Sequence, residues 1–263
     1  MIIWTVANQK GGVGKTTTAI SLAGLMIQRG YKVLLVDMDP HCSLSYYLGI
    51  DAESLEYSAF DVFIAGKTST TETVKQSIYP TNLEGLDIMP ANMAMATLDR
   101  KFGSTEGMGL ILQHALKQLS NEYDAILIDC PPVLGVLMVN ALAASDRILV
   151  PVQTEFLALK GLERMIKSLQ IMKSSPNQNV DYLVVPTMFD RRTKASIQAM
   201  KALQEHYGDA VWRSVIPIDT RFRDASLANV PPSFYAAKTR GVLAYKDLLN
   251  DLLDYHSSAR AKK

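Results

Sequence analysis

The sequence predicts an α/β fold, a single-domain doubly wound and mostly parallel sheet built around a phosphate-binding loop. Short runs of β-branched residues recur along the chain, and stretches of helical period lie between most of them. The residues of chemical interest fall at the carboxyl ends of those runs, where an open α/β sheet places its ligands. The runs are continuously apolar because a parallel strand is covered by helices on both faces.

The strand-like runs are IIWTVA (2–7), KVLLVD (32–37), DAILID (124–129), RILVPV (147–152), DYLVVP (181–186) and RSVIP (213–217). A shorter run, LDIM (86–89), lies in the less regular stretch 51–105, to which no function is assigned. TTTAISLAGLMIQRG (16–30) has apolar residues at helical spacing and Gly30 as its stop. LKGLERMIKSLQIMK (159–173) and SIQAMKALQEHYG (196–208) show the same period, and VLGVLMVNALAA, which contains Asn140, has the length of a core helix. No linker, repeat or low-complexity tract divides the chain, so residues 1–263 are expected to form one domain.

Hydrophobic residues make up 48% of the chain, enough for a sizeable core and too many for a disordered protein. The opening MIIWTVA has no basic n-region and is too short to span a membrane, so a cytoplasmic protein without secretory signal is expected. Two cysteines, Cys42 and Cys130, fit a reducing compartment and argue against a disulfide framework. The histidines His41, His114, His206 and His256 are scattered and suggest no zinc site. The net charge of +1 is uneven: residues 1–100 carry 7 basic and 10 acidic side chains (−3), 101–187 carry 7 and 8 (−1), and 188–263 carry 13 and 8 (+5). The basic C-terminal third is either a solvated surface or a footprint for an anionic polymer.

GVGKTT follows the first strand and opens the first helix, so loop amides and a helix N-terminus converge where phosphate binds. Lys15 can neutralise the outer phosphates and the Thr16 hydroxyl can ligate Mg²⁺, as in G-x-x-x-x-G-K-[ST]. The first glycine of that pattern is replaced by Gln9, and Lys10 is surplus to it. In VLLVDMDPH, Asp37 and Asp39 are two apart, hence on one side of an extended strand end, and suggest a magnesium shell and a group that orients attacking water. Asp129, closing AILIDCPP, is the expected carboxylate that holds Mg²⁺, usually through water. Phosphoryl hydrolysis follows as the expected chemistry, with Asp39 as the water-orienting group.

Together these residues resemble the deviant Walker A cytoskeletal ATPases, the ParA and MinD group. The resemblance spans nearly the whole chain: KGGVGKTT (10–17), VDMDPH (36–41), LIDCPP (127–132), PVQTEF (151–156) and VIPIDTRFRDAS (215–226). It implies a slow ATPase, stimulated by a partner, with ATP and Mg²⁺ sandwiched in a homodimer. The loop Gly11, Gly12, Val13, Gly14, Lys15, Thr16 and Thr17 would hold ATP, and Lys10 would reach the nucleotide of the partner subunit. Asp39 would position the hydrolytic water, Asp37 and Asp129 would stand in the magnesium region with Thr16, and Met188 and Pro217 would lie near adenine.

The ParA branch binds DNA without sequence preference, which carried over points to Arg192 and Arg221 with Lys194 and Arg223 as neighbours; such contacts would be phosphate-directed and salt-sensitive. MinD-like members end in a basic membrane helix, whereas here Asp247, Asp251 and Asp254 flank the stripe Leu248, Leu249, Leu252 and Leu253, so a packing helix with a short basic tail and no direct membrane insertion is expected. The chain begins at its first strand and resembles the short ParA forms. DPHCSLSYYLG, PPVLGVLMVNALAAS, VQTEFLALKGLERM and TMFDRRTKAS most resemble the ParA-like ATPases of chemotaxis and flagellar operons, the ParC branch, with Lys160 where chromosome-partition members commonly have glutamate. That branch implies positioning of chemoreceptor arrays at the cell pole with an array-associated adaptor; chromosome or plasmid partition with a centromere-binding adaptor, and a nucleoid-associated location, is the alternative. Two further classes compete: an iron–sulfur carrier, although Cys42 and Cys130 do not fall at that family's cluster-ligand positions, and a metabolite ligase of the dethiobiotin synthetase type, which leaves Lys10, Arg192 and Arg221 unexplained.

Overall fold

Alternation along the strands sorts the core into two layers. The computed structural model describes residues 1–102, 108–173 and 181–260. Within them a seven-stranded sheet runs through β1 (Ile2–Val6), β2 (Val33–Asp37), β3 (Tyr79–Pro80), β4 (Leu86–Met89), β5 (Ala125–Asp129), β6 (Arg147–Gln153) and β7 (Tyr182–Thr187). The order is β3-β4-β2-β5-β1-β6-β7, and every pair is parallel except β3 with β4.

Ile3, Leu34, Val36, Ile126, Ile128, Val150 and Val152 face one layer, into which the helices Val136–Ala144 and Phe156–Lys173 send Leu137, Met138, Leu162 and Met165. Trp4, Val6, Val33, Leu35, Leu127 and Leu149 face the other, met by Ile20, Leu22 and Met26 of helix Lys15–Ile27 and by Leu248, Leu249 and Leu252 of helix Arg240–Arg260. The period of two along the strands meets the helical period of the covers, which is what a doubly wound sheet requires. The first helix stops as its sequence predicts. Gly30 takes a φ of +82°, its N–H donates to Ile27 O at 2.9 Å, and Tyr31 N donates to Met26 O at 3.2 Å, the paired bonds of a Schellman stop.

One expected strand does not form. Residues 213–217 form no ladder with β7: the segment has only the isolated bridge Phe189–Pro217, just past the end of β7, and the bridge Val184–Val211 lies just before it. Trp212 N donates to Val184 O at 2.8 Å and Ile216 N to Pro186 O at 2.8 Å, but Pro186 has no N–H to return. The proline removes the donor that would continue the ladder, and the exposed Arg213 and Ser214 bend away.

The C-terminal helix packs as its leucine stripe predicts. Leu248, Leu249 and Leu252 are buried, Leu253 is half-buried, and Asp251 accepts a 2.8 Å hydrogen bond from the Trp212 indole. The end of the expected basic tail, residues 261–263, lies outside the described residues. Among the described residues no helix is long and apolar enough to cross a membrane.

Leu248→Ala should therefore cost about 2–5 kcal/mol by chemical denaturation, because the fully buried side chain leaves a cavity between helix and sheet. Leu243→Ala, on the same helix but 46% exposed, should stay within roughly 0.5 kcal/mol of the wild type.

Candidate active site

β1 lies between β5 and β6, and the loop after it is tied to the neighbouring strands β6 and β7. Ala7 N donates to Leu149 O at 3.0 Å, Asn8 Nδ2 to Pro151 O at 2.8 Å, and the Thr187 hydroxyl to Val13 O at 2.9 Å. Gly12 and Gly14 take φ of +74° and +90°, where an L side chain is strained, and a Cβ at either would meet nothing within 4 Å. Glycine is thus needed for the turn, and the space over Gly11, Gly12 and Gly14 is open. Gly14 caps the helix that begins at Lys15 without any side-chain acceptor, so the first-turn N–H groups are left for an anion.

Lys15 and Thr16 meet the strand ends at this point. Thr16 Oγ1 donates to Asp129 Oδ2 at 2.5 Å, while the buried Asp129 Oδ1 has no hydrogen-bond partner among the described residues. Burial pushes the Asp129 carboxyl up to about 8; the charge of Asp37 adds to this, and the Thr16 hydrogen bond and Lys15 oppose it. Lys15 is only 8% exposed, and its pKa is lowered by burial against the pull of Asp129, Cys130 and Asp39. Its Nζ donates to Lys10 O at 3.2 Å, a neutral acceptor that a phosphate would outcompete. A buried carboxylate with one unpaired oxygen beside a hydroxyl and an ammonium suits a hydrated divalent cation.

Asp37 and Asp39 differ from the expected arrangement. β2 ends at Asp37, whose Oδ1 accepts from Asp39 N at 3.1 Å, so Asp39 stands beyond the strand, on a turn that Asp37 holds. Asp37 Oδ2 accepts from both Ser45 N at 2.9 Å and Ser45 Oγ at 2.8 Å. Asp37 is fully buried beside Asp129, in register with it, but its oxygens are engaged by its own chain. Burial raises its carboxyl to about 6 despite those bonds. The Asp39 side chain is 14% exposed and accepts from His41 Nδ1 at 2.8 Å.

A cleft of about 440 Å³ runs from the loop toward β7, lined by Gly14, Thr17, Met188, Pro217 and Ile218. Met188 has a φ of +53° and turns the chain so that Phe189 N reaches Ile216 O at 3.0 Å. The structure thus brings the two expected adenine-side residues to one wall of the cleft that opens at the loop. Sequence reasoning missed Tyr47, Phe222 and Tyr245 in the same cleft, and no local signal announces them. The hydroxyl of Tyr245 is 2.8 Å from that of Thr18.

Lys10 pairs with Glu155 of its own chain. Glu155, within the run PVQTEF, carries no local signal of this contact. Of the four basic positions expected at a DNA face, Arg192 is held by Asp190 through Nε at 2.9 Å and Nη2 at 2.8 Å, and Arg221 Nη1 is 3.3 Å from Asp224. That pairing holds the Asp190 carboxyl down at about 2. Arg192 shares a second cleft, about 650 Å³, with Arg191 and Arg240, two residues that sequence reasoning missed. Arg223 instead lines the nucleotide-sized cleft, and exposed Lys194 opens the helix Lys194–Tyr207.

Because Asp129 must give up its proton to hold a cation, Mg²⁺ affinity at saturating ADP should climb up to tenfold per pH unit below about 8 and level off above it. Calorimetric titration of Asp129→Asn should show weak Mg²⁺ binding without that slope.

The AAA_31 family, described as an AAA domain, matches residues 1–182. The chromosome partitioning protein ParA of Caulobacter vibrioides is 36% identical over 263 residues, covering 99% of this chain and 97% of that protein. The sporulation initiation inhibitor protein Soj of Bacillus subtilis is 35% identical over 253 residues, covering 95% and 97%. A crystal structure of cobyrinic acid a,c-diamide synthase from Mycobacterium smegmatis, with bound ATP analog and magnesium, superposes with a TM-score of 0.84 at 30% identity, covering 98% of this chain and 97% of that one. The chain belongs to the AAA_31 family of AAA domains and, with these relatives, to the ParA-type ATPases.

Proposed function

We propose that this protein is a Mg²⁺- and ATP-dependent dimerising ATPase that positions intracellular cargo. The observation that carries the reading is the loop itself: one lysine, Lys15, sits buried where phosphate enters, and a second, Lys10, is held at the rim of the same loop. The loop amides from Gly11 to Thr17 and the Lys15 ammonium bind the outer phosphates, and the wall of Met188 and Pro217 receives adenine. Thr16 and Asp129 hold Mg²⁺, which when bound neutralises charge on the terminal phosphoryl oxygens. Asp37 acts at one remove: by holding Ser45 and Asp39 N it fixes the turn on which Asp39 stands. Asp39 orients the attacking water, and Lys10 serves the nucleotide of the second subunit. Hydrolysis is slow until an adaptor protein stimulates it.

The basic segment provides for release and rebinding. Arg192, Lys194, Arg221 and Arg223, with Arg191 and Arg240 added by the fold, would contact DNA phosphates without reading bases. An ATP-bound dimer would bind DNA and a hydrolysed one would let go, at the nucleoid or, for polar cargo, near the pole. The cargo we favour is the polar chemotaxis array, on the resemblance of DPHCSLSYYLG, VQTEFLALKGLERM and TMFDRRTKAS and on Lys160, which is 71% exposed on its helix. Chromosome or plasmid partition is the second reading, supported by the 36% identity to a chromosome partitioning ParA.

Asp39→Ala should bind ATP and dimerise yet lose about tenfold or more of its turnover in a phosphate-release assay; wild-type turnover would remove Asp39 from the chemistry. A fluorescent fusion imaged beside chemoreceptor arrays and chromosomal origins identifies the cargo by the structure it follows. Arg221→Glu in that fusion should disperse it and weaken DNA retention at low salt, with ATP affinity unchanged; full retention would remove the basic face.

A further inference from the structure

Lys10 is held at four points. Its N–H donates to Asn8 Oδ1 at 3.0 Å, and its carbonyl accepts from Lys15 Nζ at 3.2 Å. Its ammonium pairs with Glu155, and its stem runs past Gly161, where an added Cβ would stand 3.5 Å from Lys10 Cβ. Glu155 lies between the end of β6 and the helix Phe156–Lys173, and the two side chains are 29% and 41% exposed. The pair is therefore at the rim of the site, open to solvent and to another molecule.

We propose that Glu155 is a positioning residue that latches Lys10 in cis, competing with the partner subunit's nucleotide, so that assembly must break one Lys10–Glu155 pair in each protomer. The proposal rests on the reading of Lys10 as the lysine that acts across the dimer. Nucleotide loosens the latch from inside. A phosphate is a stronger partner for the Lys15 ammonium than the neutral Lys10 carbonyl, so its arrival draws Lys15 away and frees the Lys10 backbone. Filling the site in one subunit thereby prepares the lysine that the other subunit needs. A half-exposed ion pair is weak enough to be exchanged for phosphate, whereas a fully buried one would lock the lysine in place.

The test is assembly of the full chain with ATPγS, followed by analytical ultracentrifugation. Glu155→Gln keeps the side-chain size and removes the charge. It should favour release of Lys10 roughly 3-fold per protomer and tighten the dimer roughly 10-fold, since two latches open. Assembly no tighter than the wild type overturns the latch, and weaker assembly makes Glu155 a dimer contact instead. Lys10→Ala in the same assay separates the two readings. If it dimerises normally, the action of Lys10 across the dimer falls; if it fails to dimerise while Glu155→Gln gains nothing, only the latch falls. The double variant should behave as Lys10→Ala alone, and a gain there would show that Glu155 acts through another group. Glu155→Asp, which keeps the charge on a shorter stem, should fall between wild type and Glu155→Gln; assembly as tight as Glu155→Gln would overturn a latch made by charge. Equal melting temperatures show that the variants are folded.

Discussion

The hydrogen bond from Thr16 to Asp129 is the constraint on which the site depends. It ties the first turn of the first helix to the end of β5, and the backbone of Asp129 region binds the neighbouring strands as well: Met38 N donates to Asp129 O at 2.9 Å and Cys130 N to Val6 O at 3.2 Å. Three strand ends and a helix N-terminus are thereby held within one turn of chain. The arrangement opposes stability, since a fully desolvated carboxylate with one unpaired oxygen is costly unless something completes its shell. The apolar strands β1, β2 and β5, buried throughout, supply the packing that holds it there.

The same sheet edge explains why the arginine-lined cleft adjoins the cleft beside the loop. Pro217 and Ile218 line both the cleft beside the loop and the cleft that carries Arg191, Arg192 and Arg240. That double use arises because residues 216–218 leave β7 after Pro186 instead of pairing as an eighth strand. Ile216 N still reaches Pro186 O, and Ile218 N reaches Phe189 O at 3.2 Å, so the segment is anchored at two points and free to present opposite sides to the two clefts. A ligand bound against one side would press on a wall whose other side carries cations, so the two clefts are physically contiguous.

Much of this was legible in local patterns. The strands through Val6, Asp37, Asp129, Gln153 and Thr187 were readable because buried parallel strands are continuous apolar runs, and the loop because Gly12 and Gly14 answer a backbone requirement. What escaped was set by tertiary contact. Pro186 decides the fate of residues 213–217 from another segment, and Glu155 becomes significant only because β6 ends beside Lys10. Tyr245 reaches Thr18 across 227 positions, a separation no periodicity reports. The strand stops short of Asp39 for a local reason: the Asp37 carboxylate captures the Asp39 amide just past the end of β2, where an extended strand end was expected.

The two lysines of the loop are one residue type in two physical states. Lys15 is almost wholly removed from water, its pKa is lowered by that burial, and its nearest acceptor is a neutral carbonyl, so its charge is incompletely compensated until an anion arrives. Lys10 keeps solvent contact and already has a carboxylate, so it gains less from any single new partner and can exchange one for another. A loop with two buried lysines would bind phosphate and go no further, and a loop with two exposed ones would bind it weakly. With one of each, the anion is drawn to the buried charge while the exposed charge stays transferable, which is the physical condition for a site in one subunit to be completed by a residue of another.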